Sequence, residues 1–228
     1  MLKATFLGHS AVRLETKDTT ILIDPFFTDN PQAVVGPDDV SADFIVVTHG
    51  HGDHVGDTVA IAQRTGATCI STYELATWLG SQGCQVHPMG VGGSQSFPFG
   101  RLKFTIAHHS AGAGELGDRY VGTAAGVVID TAGHTVHHAG DTALTYDMKL
   151  LAESFNIDLA FLPIGDNFTM GVDDAVRAVE FIQPKQVVPI HYNTWAYIEA
   201  DADGFAERVN QTGTSQATVL QPMESITL

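Results

Sequence analysis

The feature that most narrows the fold of this chain is the heptapeptide Thr-His-Gly-His-Gly-Asp-His at residues 48–54, which follows the apolar run "FIVV". Imidazole is costly to bury without a partner, and glycine weakens any regular element it interrupts. A strand or helix interior would not be built this way, but a loop leaving a buried strand and wrapped around a cation would. Borderline cations such as zinc, iron and manganese take imidazole and carboxylate ligands, and catalytic sites keep a coordination position for water. His49 and His51, two apart around Gly50, can point at one ion, and Asp53 and His54 follow closely enough to hold a second. Four donors are too few for two ions. The fold must therefore bring further ligands from distant strand ends.

The rest of the chain offers them. Leu2 to Leu7, Ala11 to Glu15 and Thr20 to Asp24 read as three short strands, the last two joined by the polar turn "KDT". "FIVVT" is a continuous apolar, β-branched run, hence a buried strand that delivers His49. "DTVAIAQRTG" and "ELATWLGSQG" read as helices closed by glycine. "RLKFTIAHH" reads as a strand ending in His108 and His109, and "AAGVVIDTAGHTVHHAGDT" as two strands about a tight turn, leading to Asp141. Helix "DMKLLAES", strand "DLAFLPI", helix "VDDAVRAVEFIQP", strand "QVVPIHY" with His191 at its end, and a last helix around "DGFAERVNQTG" follow. The glycine-rich "GVGGSQSFPFG" lacks the strand–helix context of a dinucleotide site and reads as a loop. Both halves run strand, Asp, strand, then ligand-type residues, which implies two facing β-sheets with helices outside, a four-layer αββα sandwich of the α/β class, as one domain over residues 1–228.

Composition limits what such a site can serve. The net charge is −15, from 26 acidic against 11 basic residues, with no Lys/Arg run, so a phosphate backbone would be repelled and nucleic acid is not the expected partner. No apolar run is long enough to span a membrane, and the first residues alternate like a strand rather than a signal peptide, so a cytoplasmic protein is expected. The two cysteines, Cys69 and Cys84, form no CxxC; Cys69 lies in "GATCIST" and reads as a small core residue.

"THGHGDH" resembles the HxHxDH signature of the metallo-β-lactamase superfamily, and the downstream order His, Asp, His is similar too. With "GHS", "LIDPF", "HAGDT", "PIGDNFTMG" and "VVPIHYNT", nearly the whole chain looks like the short, roughly 230-residue branch of metal-dependent hydrolases related to ascorbate-6-phosphate lactonase. The resemblance implies that His49, His51 and a later histidine bind one metal, that Asp53, His54 and His191 bind another, and that Asp141 bridges them. For the later histidine His109 is preferred to His108. A small-residue loop, "SAGAGELGD", follows it as in the branch, and strand alternation would put the two rings on opposite faces.

Two divalent ions at such a site, zinc first, with manganese, iron or nickel compatible, would hold a bridging hydroxide that attacks an ester, lactone or phosphoester of a small molecule. Asp53 is then the catalytic residue, orienting the nucleophile and taking up a proton. Asp24 is expected behind a ligand imidazole and His138 in a similar supporting place, and His9 of "GHS" is expected to line the pocket. Asp166 and Asn167 are placed to reach substrate, and Tyr192 and Asn193, beside His191, to polarise the substrate oxygen or protonate the leaving group. His87, His134 and His137 read as surface or turn residues. The competing functions are a nuclease, which would want a basic groove, and a diiron redox protein, which would want a carboxylate among the first-site ligands and a flavin domain. A homo-oligomer is compatible with the sequence.

Overall fold

The computed structural model describes residues 1–112 and 120–228. The chain opens with β1 (Lys3–Gly8), β2 (Ala11–Glu15) and β3 (Thr20–Ile23), paired antiparallel in sequence, and continues into β4 (Phe44–Val46), parallel to β3. Next come α1 (Gly52–Val55), α2 (Thr58–Thr65), β5 (Thr68–Thr72), α3 (Tyr73–Ser81) and β6 (Gln85–Met89). The second half supplies β7 (Ser94–Phe97), β8 (Gly100–Ile106), β9 (Ala125–Thr131), β10 (His134–His138), α4 (Met148–Ser154), β11 (Leu159–Pro163), α5 (Val172–Ile182), β12 (Gln186–Ile190), α6 (Ala202–Thr212), β13 (Gln216–Ala217) and β14 (Ser225–Thr227). They form two seven-stranded sheets, ordered β14-β1-β2-β3-β4-β5-β6 and β13-β12-β11-β10-β9-β8-β7.

Three apolar layers hold these elements together. Phe6, Leu14, Ile23 and Ile70 of the first sheet meet Phe104, Ile129, Phe161 and Ile190 of the second between the sheets. Outside the first sheet, Leu22, Ile45 and Cys69 pack under Ile61 of α2 and Leu75 and Leu79 of α3. Outside the second, Ala160, Leu162 and Val187 pack under Ala175, Val179 and Ile182 of α5 and Phe205 of α6. The helix α5 shows why: its buried Ala175, Ala178, Val179 and Ile182 recur at helical spacing, Asp173 and Asp174 occupy its first turn, and Gln183 ends it in the left-handed conformation. The architecture is the expected αββα sandwich.

The structure departs from the sequence reading in detail. Ser94–Phe97 of the glycine-rich segment is not loop but the edge strand β7, paired with β8. The strand carrying "FTIAHH" stops at Ile106, so His108 and His109 lie in the loop beyond it. The β9–β10 turn does close tightly, through Ala132 (φ 51°) and Gly133 (φ 84°), both left-handed as a two-residue hairpin of matching twist requires. Among the described residues no helix is long and apolar enough to cross a membrane.

What positions the site is direction. The strands β3, β4 and β5 run parallel in one sheet, and β10, β11 and β12 run parallel in the other. Open sheets collect ligands beyond the carboxyl ends of such strands. Asp24 follows β3, His49 follows β4, Asp141 follows β10 and His191 follows β12.

Candidate metal centre

Two groups of side chains converge where the sheets meet: His49, His51, His109 and Asp141, and beside them His9, Asp53, His54 and His191, each group with donor atoms within 4.8 Å of one another. In the first, His51 Nδ1 lies 3.0 Å from His49 Nε2 and 3.2 Å from His109 Nε2. Asp141 sits between the groups. Its Oδ1 is 3.2 Å from His54 Nε2, and its Oδ2 is 3.1 Å from His191 Nε2 and 3.5 Å from His109 Nε2. In the second group Asp53 Oδ2 lies 3.1 Å from His9 Nε2 and 3.6 Å from His191 Nε2.

The donor set fits a cation. His54 Nε2 and Asp141 Oδ1 are buried and form no hydrogen bond among the described residues, although they face each other. Unpartnered buried donors and acceptors are rare in folded proteins and call for an explanation. Electrostatics points the same way. Burial disfavours a charged His54, yet Asp141, Asp24 and Asp53 push its pKa well above the imidazole range. Burial likewise opposes charge on His191, but Asp141 and Asp53 raise it to about 9. Burial also disfavours the Asp141 and Asp53 carboxylates, and the surrounding imidazoles, His191 and His54 above all, hold both well below the usual carboxylate range. These carboxylates demand positive charge between the sheets.

The imidazoles are aimed by a shared support. Asp24, fully buried, accepts from Thr48 N (2.8 Å), from the Thr48 hydroxyl (2.7 Å) and from His54 Nδ1 (2.7 Å). The Thr48 hydroxyl oxygen in turn lies 3.0 Å from His49 Nδ1. One carboxylate thus orients two imidazoles, one directly and one through a hydroxyl, and leaves each Nε2 free to face the centre. His9 is more central than pocket-lining. Its ring spans Thr194 Oγ1 (2.7 Å) and Asp53 Oδ2 (3.1 Å), its backbone carbonyl accepts from His191 N, and its backbone N–H donates to Gln32 Oε1. Both contacts are satisfied when Nε2–H donates to Asp53 and Nδ1 accepts from the Thr194 hydroxyl.

Other expected site residues lie elsewhere. Tyr192 does not face the cleft; it is buried in the outer layer of the second sheet, and burial pushes its phenol pKa up. His191 (φ 54°) and Asn193 (φ 56°) are both left-handed, so the chain reverses around Tyr192. Asn193 is exposed and tied to Ala200, accepting from its N–H and donating to its carbonyl. Asn167 is exposed too, and it is its neighbour Phe168 that lines the cleft. His138 touches no candidate ligand: its ring lies 2.9 Å from Ser10 O and accepts from Gly140 N, bracing the segments that carry His9 and Asp141. His137, expected at the surface, is buried with Nδ1–H on Val127 O. Of the two loop histidines, His109 faces the centre, and His108 is exposed with Asp147 3.8 Å away. The loop after His109 runs into residues 113–119, outside the described residues. Cys69 and Cys84 are both buried free thiols.

Above the centre opens a cleft of about 840 Å³. Phe26, Phe168 and Trp195 on its walls, and Gln32, which bonds His9 N and Tyr192 O, were not singled out from the sequence, because aromatics and amides in loops carry no periodic signal.

A hydrolytic metal centre between two such sheets defines a class, and the chain belongs to it: residues 19–192 match the model of the beta-lactamase superfamily domain, and this is a metal-dependent hydrolase of the metallo-β-lactamase superfamily. More particularly, it is 50% identical over the full length of both chains to a UPF0173 metal-dependent hydrolase of Bacillus mycoides, and 47% identical, again over both full lengths, to one of Carboxydothermus hydrogenoformans. Among solved structures it is similar to Igni18, a metallo hydrolase of the archaeon Ignicoccus hospitalis, at 34% identity and a TM-score of 0.91, covering 100% of this chain and 98% of that one.

Proposed function

We propose that this chain hydrolyses an ester, lactone or phosphoester of a small molecule with two divalent cations, zinc foremost. His49, His51 and His109 would hold one, Asp53, His54 and His191 the other, and Asp141 both. The observation that carries the dinuclear reading is the position of Asp141, with one oxygen towards His54 and the other towards His191 and His109. When bound, a pair of such cations acidifies water and polarises the bond under attack.

The chain's own groups do the rest. Asp53 is the carboxylate of the centre most open to the cleft, with about a quarter of its side chain exposed, and can take a proton from attacking water. The His9–Thr194 pair fixes the Asp53 carboxylate in that position. Asp24 holds His54 and, through Thr48, His49. Three first-site imidazoles with no carboxylate replacing one of them favour hydrolysis over diiron redox chemistry. The net charge of −15, with Asp29 and Asp57 on the cleft wall, favours a small molecule over a nucleic acid.

Metal analysis after reconstitution tests this: two ions per chain are expected, and Asp141→Ala should lower that number sharply. A stoichiometry of one, unaffected by Asp141→Ala, would overturn the dinuclear reading. Hydrolysis in labelled water should place a solvent oxygen in the product acid, and a covalent intermediate trapped on a serine or cysteine would overturn the mechanism.

A further inference from the structure

The cleft mouth carries three aromatic rings beside the centre. Phe26 is buried against it, Trp195 is 38% exposed and Phe168 is 55% exposed. Phe26 and Trp195 lie 6.1 Å apart between ring centroids, and Trp195 stands edge-on to His9 at 4.9 Å. One exposed aromatic needs no explanation, but three around one concave site mark a binding surface.

The loops that present the exposed pair are built to hold them. Trp195 is preceded by Asn193, whose side chain bonds Ala200 on both backbone groups, and by Thr194, bonded to His9. Phe168 follows Asp166 (φ 57°) and Asn167 (φ 37°), two successive left-handed residues, and the carbonyl of Asp166 accepts from the N–H groups of Phe168 and Thr169. Such backbone is maintained only where surrounding bonds over-determine it. Both loops leave neighbouring strands, β11 and β12, of the same sheet. The charged part of this wall is acidic, from Asp29 and Asp57 beside the hydroxyls of Thr28 and Ser110, and among the described residues no Lys or Arg lines the cleft. The carboxylates disfavour an anionic substrate group there, and the ring faces offer an uncharged, apolar one its burial.

Building on the hydrolase reading, we propose that the substrate is a carboxylic ester whose apolar, uncharged acyl group packs against Phe26, Trp195 and Phe168. Water adds its oxygen to the acyl carbon, the acyl C–O bond breaks, and the leaving alcohol departs with a proton that originated in the same water. No further reactant is required. Phosphate esters, which resemble the substrate of the lactonase branch, fit this wall poorly.

The test uses zinc-reconstituted protein and p-nitrophenyl acetate, butyrate, hexanoate and octanoate, beside p-nitrophenyl phosphate and bis(p-nitrophenyl) phosphate. The expected kcat/KM rises about two- to fourfold per methylene up to the capacity of the cleft, and Trp195→Ala and Phe168→Ala lower the hexanoate-to-acetate ratio. Calorimetric binding of the product acids, acetate to octanoate, gives a readout that needs no turnover and should show the same trend. Ester hydrolysis or acid binding that ignores chain length, or preference for either phosphate ester, overturns the proposal while leaving the hydrolase reading intact. If all six substrates stay intact, the ester assignment is overturned while a lactone remains open to the hydrolase reading, and binding of the acids alone decides the fate of the apolar wall.

Discussion

The substitution Asp24→Asn isolates the support from the ligands it serves. The wild-type carboxylate accepts three hydrogen bonds in a fully buried setting, two of them on Oδ2, from the Thr48 hydroxyl and His54 Nδ1, each at 2.7 Å. If the amide oxygen of asparagine keeps the bond to Thr48 N, its NH2 group faces two donors. A buried donor left unsatisfied costs about 1–3 kcal/mol. Rotation of the hydroxyl and a proton shift on His54 recover part of this, leaving a loss of about 2–4 kcal/mol, or roughly 4–16 °C in Tm for a chain of this size. The proton shift carries the functional consequence. With Nδ1 accepting from the amide, the proton of His54 moves to Nε2, the atom that faces Asp141, and metal affinity should fall about 10–100-fold. Calorimetric melting in chelator measures the first effect, competition with a metal-binding dye the second, and nitrogen-15 shifts of the His54 ring report the tautomer directly. A lowered Tm with unchanged metal affinity and an unmoved tautomer would refute the reasoning and reduce Asp24 to a brace between β3 and β4.

Three further outcomes are expected. His109→Ala should lose metal affinity and activity while His108→Ala leaves both nearly unchanged, as metal titration and turnover will show; the reverse would mean that the loop presents the other ring. Burial lowers the His137 pKa to about 4, so the unfolded chain binds more protons between that value and its own pKa near 6.5, and stability falls as pH drops through this window. Urea unfolding from pH 7 to pH 4.5 should therefore show a shallower decline for His137→Phe, by up to about 3 kcal/mol, and an identical slope would contradict the assignment. Gly165→Ala would place a Cβ 2.2 Å from the His191 carbonyl, so the loop carrying His191 must shift, with a stability loss of about 1–3 kcal/mol in urea and weakened metal binding; wild-type affinity would show that the loop yields without cost.

The order of layers was legible because it rests on pattern: continuous apolar runs for buried strands and helical spacing for the outer elements. The convergence of His49, His51, Asp53, His54, Asp141 and His191 was legible because a short motif and strand-end positions carry it. Adjacency misled where the backbone turns. Tyr192 follows His191, yet two left-handed residues around it send its ring into the opposite layer. The alternation argument for His109 likewise assumed a strand that ends at Ile106, and the direction of the ring comes from the loop instead. The strands β13 and β14 are two and three residues long, too short for a period to register, and β7, exposed and polar along most of its length, shows no apolar alternation. The ring direction of His9 depends on its own left-handed backbone and on partners 23 to 185 residues away. No local reading reaches that far.

The donors come from both sheets: His49, His51, Asp53 and His54 arrive from the first, and His109, Asp141 and His191 from the second. A cation bound among them fastens one half of the molecule to the other at a single edge, as a rivet does two plates. Free ion at a hundred times its dissociation constant would add about 2.7 kcal/mol to the cohesion of the folded chain. That is comparable to a sizeable core substitution. A bound ion would thus slow local opening of the folded chain and its proteolysis, in addition to serving turnover.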